Sequence, residues 1–136
     1  MVKNIKKTVI AGALALAMVG TAVPVTANAS TTTTRNGAYS SVSITRTASG
    51  SGTVTGYASA TNKTASSRYM TVWAKSGNSF ASAKTHKTSS GVVAKNGTIT
   101  ATGYSIGNEY TCYGQAQIHK TSSSSSAVLE TIHAAK

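Results

Sequence analysis

The chain has 136 residues, 13 of them Lys or Arg and only two acidic, giving a formal net charge of +11. With no Asp, and with Glu109 and Glu130 as the only carboxylic side chains, a Ser-His-Asp triad is excluded and paired-acid catalysis has almost nothing to work with. Cys112 is the single cysteine, so no intrachain disulfide can staple the fold.

The first 29 residues carry the three parts of a bacterial-type export signal. Lys3, Lys6 and Lys7 precede an apolar run from Val9 to Val19, and Ala27-Asn28-Ala29 offers the small residues a signal peptidase reads. Cleavage is expected between Ala29 and Ser30, releasing a secreted, extracellular protein. The apolar run is shorter than the roughly 20 residues a span requires, so the mature protein is expected to have no transmembrane segment. Losing the three leader lysines leaves ten cations against two acids, a mature charge of about +8.

Residues 30–37, STTTTRNG, are polar and low in complexity and are expected to form a flexible N-terminal arm. From residue 38 to 136, short alternating runs are separated by turn residues. Val42 and Ile44 share one face of the first. After Ser49-Gly50-Ser51-Gly52, Val54, Gly56, Ala58 and Ala60 share a face, with Thr55, Tyr57 and Ser59 opposite. Residues 68–75 set Met70, Val72 and Ala74 against Tyr69, Thr71 and Trp73. A polar strand is expected over 79–87, then a break at 88–91.

Next, Val92 to Lys95 and Thr98 to Ala101 flank Asn96-Gly97, a pair suited to a two-residue type I′ hairpin turn with positive φ at both positions. Residues 108–120 place Tyr110, Cys112, Gly114, Ala116 and Ile118 on one face and Thr111, Tyr113, Gln115, Gln117 and His119 on the other. A last strand covers 127–133. The string His86-Lys87-Thr88-Ser89-Ser90 recurs at 119–123, an echo expected from chance in so Ser/Thr-rich a chain.

The period is two almost throughout, Thr and Tyr suit strands, and the mature chain lacks Pro. The expected fold is all-β: one small antiparallel β-sandwich, Ig-like or similar, of seven or eight short strands following the signal helix. Only 13 of the 107 mature residues are Val, Ile, Leu or Phe, against 20 Ser and 19 Thr. A core that thin must rely on a well-paired sheet, on buried aromatics or on assembly with other copies.

Candidate chemistry is sparse. Cys112, on the apolar face of its strand, is expected to be buried core filler rather than a nucleophile served by His86, His119 or His133. The three histidines have no metal-site spacing and are expected to be solvated. No cofactor and no metal are expected. Lys63, Arg68, Lys75, Lys84, Lys87 and Lys95 are the candidate anion contacts, in a stretch free of acids from Ser30 to Asn108. Tyr57, Tyr69, Trp73 and Tyr113 form a possible aromatic surface for sugar rings, bases or lipid. With so few aliphatics, the opposite arrangement, aromatics in the core and small residues facing out, is the favoured expectation. The sequons at Asn62 and Asn96 carry no weight in a bacterial-type precursor.

Export, size, charge and the strings Val72-Trp73-Ala74-Lys75 and Lys84-Thr85-His86 resemble small exported cationic β-sandwich bacteriocins of the lactococcin type. These strings cover a small part of the chain, and no functional residue is carried across. The expected role is that of a secreted, cationic, non-catalytic sandwich that associates with anionic cell-envelope polymers or a lipid surface, without specific nucleic-acid recognition. The alternatives are a bacteriocin-like antimicrobial protein and a self-assembling extracellular structural module.

Overall fold

The computed structural model describes residues 29–136, so the expected leader lies outside the described residues except for Ala29. The described chain is all-β. Its eight strands are β1 (Ala29–Asn36), β2 (Ser40–Ala48), β3 (Thr53–Asn62), β4 (Arg68–Gly77), β5 (Lys84–Val93), β6 (Thr98–Gly107), β7 (Thr111–His119) and β8 (Val128–Ala135). They form two four-stranded antiparallel sheets, β1-β2-β3-β6 and β5-β4-β7-β8. The sheets face each other as a sandwich, with β2 lying over β7 and β6 over β4 and β5.

The small aliphatic face is the buried one. Val42, Ile44, Ala58, Met70, Val72, Ala74, Cys112, Ala116 and Ile118 are all fully inaccessible. The aromatic-inside expectation is corrected: Tyr57, Tyr69, Trp73 and Tyr113 stand on the outer faces, and Tyr104 is the ring that joins the core. Alanines and glycines on the inner faces let the sheets close. A Cβ on Gly114 would sit 3.2 Å from the Ser43 carbonyl oxygen in the opposite sheet. The scarcity of large aliphatics is thus met by close approach, which restores the density of a protein interior with smaller side chains.

Three local expectations need correction. Residues 30–36 are not a free arm in this structure but most of edge strand β1, registered from Ala29 opposite Ala48 to Asn36 opposite Ser41. Their Thr side chains reach β2, with Thr32 Oγ1 2.8 Å from Thr45 Oγ1 and Thr34 Oγ1 2.7 Å from Ser43 Oγ. Low complexity concealed a strand whose β-branched residues suit a pleated surface. Next, the break expected at 88–91 lies inside β5, while 79–83 is loop.

Finally, Asn96-Gly97 closes no hairpin, since β5 and β6 belong to different sheets. The turn runs from Ala94 to Gly97, whose amide donates to the Ala94 carbonyl at 2.9 Å, and only Asn96 has positive φ, at 59°. Tertiary contacts decide this. The buried Asn62 amide donates to the Val93, Ala94 and Ser66 carbonyls, and the Asn62 backbone pairs with Asn96 and Gly97. Such burial also closes the Asn62 sequon. The repeated His-Lys-Thr-Ser-Ser string has no structural counterpart: 86–90 is mid-strand, whereas 119–123 leaves β7 for a loop.

Candidate functional site

The six expected anion contacts do not form one patch. Lys63, Arg68 and Lys95 lie at the end of the sandwich that holds the β1–β2, β3–β4 and β5–β6 connections. Lys84 and Lys87 lie on β5, an edge strand, and Lys75 stands on the outer face of the β5-β4-β7-β8 sheet. Where the cations bond, they meet neutral oxygens. Lys63 Nζ donates to the Gly37 carbonyl at 2.9 Å, Arg68 Nε to Thr64 Oγ1 at 3.3 Å and Arg46 to the Asn108 carbonyl at 2.9 Å.

Glu130 is occupied within the fold. Its carboxylate accepts from the backbone amides of Ala38 (2.6 Å), Tyr39 (3.2 Å) and Ser40 (3.0 Å) and from Ser40 Oγ (2.8 Å). Burial pushes its pKa up, but the Ser40 hydroxyl and the three amides outweigh burial and hold it below the ordinary 4.5. The acid therefore ties β8 to the β1–β2 turn rather than neutralising a surface lysine. Sequence reasoning missed this role, because nothing local to Glu130 points to residues 90 positions earlier.

The aromatics divide between the two sheets. Tyr57 is exposed on β3, in the β1-β2-β3-β6 sheet. Tyr69 and Trp73 are half-buried on the outer face of the other sheet, and Tyr113 is nearly covered there. Trp73 stands opposite Gln115 on β7 and Thr88 on β5, and Lys75 stands opposite Tyr113. Tyr69 meets buried His119 edge to face at 5.4 Å. Phe80, from the β4–β5 loop, folds back over this face. It stacks on His133 at 4.0 Å, meets Tyr113 edge-on at 5.7 Å and lies 5.1 Å below Lys75 Nζ. Sequence reasoning offers His133 only as a solvated imidazole and gives Phe80, Gln115 and Gln117 no functional role, although the period-two alternation aligns the two glutamines with Tyr113.

A separate cleft of about 350 Å³ opens at the far end of the sandwich, lined by Ser76, Asn78, Lys84, His86, Ile106 and Tyr110 among others. His86 is the extra residue of a β-bulge between β4 and β5, and the bulge turns its ring inward. Its Nε2 lies 2.7 Å from Ser76 Oγ, and the ring stacks on Tyr104 at 4.3 Å. Desolvation and then the Lys84 charge lower its pKa below 6.5. Contrary to expectation, then, His86 is half-buried, and His119 is buried with Nδ1 2.7 Å from the Ser126 carbonyl oxygen; only His133 is exposed.

Cys112 is fully buried beneath this cleft, next to Tyr104. Burial pushes the thiol up, more than Tyr104 and Arg46 pull it down, so the nucleophilic thiolate is disfavoured. Burial, with the Cys112 contact, also pushes the Tyr104 phenol well above its ordinary value. Tyr104 donates to the Lys75 carbonyl. Among the described residues no three His, Cys, Asp or Glu side chains are grouped to hold a metal ion. Nor is any helix among them long and apolar enough to cross a membrane.

No family model, no curated protein and no solved structure matches this chain.

Proposed function

We propose that this protein is a secreted, cationic, non-catalytic sandwich of Ig-like kind that associates with anionic polymers of the cell envelope. One observation carries the proposal: ten cations of the mature chain stand against two carboxylates, a net charge of about +8 in which Glu130, held ionised by four internal hydrogen bonds, is already counted. The remaining positive field extends over both ends of a small body. It favours a long polyanion that can touch several faces over a compact anion held at one point.

The test measures binding of the purified protein to teichoic-acid-bearing cell walls across a salt series. Binding should weaken steeply as salt rises, because exposed charges are screened beyond about 8 Å at physiological ionic strength. Charge reversal at one end (Lys63, Arg68 and Lys95 to Glu) and at the other (Lys75, Lys84 and Lys87 to Glu) should each weaken binding in part. Salt-independent binding, or indifference to both triple variants, would refute the proposal. Survivor counts in the same assay separate association from bacteriocin-like killing.

A further inference from the structure

We propose that the outer face of the β5-β4-β7-β8 sheet is a platform for a chain of pyranose sugars bearing carboxylates, with Trp73 as the stacking centre and Lys75 as the anion contact. The inference rests on the envelope-polymer reading and names the chemistry of the ligand.

The face has the components such a chain needs. Trp73 is the only tryptophan in the sequence, and it is held half-buried at mid-strand on β4, one of the two central strands of its sheet. A large ring facing solvent from a rigid strand offers a flat apolar surface to the C–H face of a sugar. Tyr69 lies four residues away on the same side of β4, roughly 13 Å along the strand at about 3.3 Å per residue. Beside the two rings stand groups suited to sugar hydroxyls, Gln115 and Gln117 on β7 and Thr88 on β5, while Ser90 Oγ donates to the buried Thr71 hydroxyl at 3.0 Å and stiffens the face between them. The Phe80–His133 stack closes one side of the face and braces Lys75 above the Phe80 ring.

Charge selects the acidic form of the ligand. The outward-facing positions carry Lys75, exposed His133 and buried His119. Neither acid joins them. Glu130 is paired with Ile118 on the inward-facing side of β7 and is bonded to the β1–β2 turn, while Glu109 sits in the β6–β7 connection. An approaching carboxylate thus meets Lys75 without a competing acid. A neutral glycan would gain the stacking alone, and a polyphosphate would gain the charge alone.

The experiment titrates the full protein with alginate oligosaccharides, which are uronic-acid pyranoses, and in parallel with polyphosphate of matched charge. Trp73 fluorescence reports occupancy of the face, and calorimetry reports affinity. Alginate should change the emission saturably, and part of its binding should survive high salt. Trp73→Ala should weaken alginate binding roughly tenfold by loss of the ring stack, Trp73→Phe should keep most of it, and both should leave polyphosphate binding unchanged. Lys75→Gln should weaken alginate and raise the salt-resistant fraction. If alginate and polyphosphate bind alike, without emission change and without response to Trp73→Ala, the platform is refuted while the electrostatic reading stands. If neither polymer binds, both fall. Melting curves on each variant show whether a loss reflects unfolding, and Trp73→Phe, which preserves a ring, carries the test if Trp73→Ala does not fold.

Discussion

Replacing Glu130 with Gln should cost this protein roughly 2–4 kcal/mol at neutral pH. The wild-type carboxylate accepts four hydrogen bonds, three from consecutive backbone amides and one from Ser40 Oγ. A bond to a charged acceptor is worth about 1.5–3 kcal/mol, but the site is only partly shielded and the amides recover water when the charge is lost, so the four do not add in full. The Gln amide would also point a donor at other donors.

For a domain near 100 residues, each kcal/mol moves the midpoint by about 4–8 °C, so the variant should melt at least 8 °C lower by roughly that scale. The pH dependence has a definite sign. Glu130 has a folded pKa below the unfolded value near 4.5, so its stabilisation is present above pH 4.5 and is lost as the pH falls through the lower folded value. Thermal melts of both proteins between neutral and strongly acid pH should converge on acidification. An unchanged midpoint at neutral pH, or a constant gap at every pH, would refute the reasoning.

Gly56→Ala should destabilise by about 1–3 kcal/mol, read from urea melts, by overpacking. A Cβ there would lie 2.9 Å from the Tyr104 ring and 3.0 Å from Cys112 Sγ, and neither can easily retreat. Ile118→Ala, at a fully buried site on β7, should cost about 2–5 kcal/mol in the same assay, and a smaller loss would show that the sheets collapse into the gap. Cys112 should resist alkylation in the native protein and react at once in denaturant, because the thiol is both inaccessible and held protonated by burial. Asn62→Ala should cost at least about 2 kcal/mol by leaving the buried Val93 carbonyl without its donor, with the loss visible in chemical denaturation.

Much of the fold was legible because a strand writes itself into sequence at period two. Val42 and Ile44, Met70 and Val72, Ala116 and Ile118 stand on shared faces by alternation alone, and all are buried. The alternation says nothing about which face turns inward when one carries rings and the other small aliphatics. That depends on how closely two sheets can approach, a property of both faces together. Local turn chemistry misled at Asn96-Gly97 for a related reason: the buried Asn62 amide, 31 residues from Val93, holds the chain in a crossover between sheets.

The candidate surfaces follow the same division. The cationic composition, the lone thiol and the poverty of acids are sequence facts, legible without any fold. Their arrangement belongs to the tertiary structure. Six cations spread along 33 residues separate into two ends and a sheet face because antiparallel strands return to opposite ends of the sandwich in turn. By the same pairing, Trp73 acquires Gln115 as its neighbour from 42 positions later, and Glu130 finds the β1–β2 turn. Period and composition are local quantities and survive in an unfolded chain; which strands become neighbours, and so which side chains meet, exists only once the two sheets have closed.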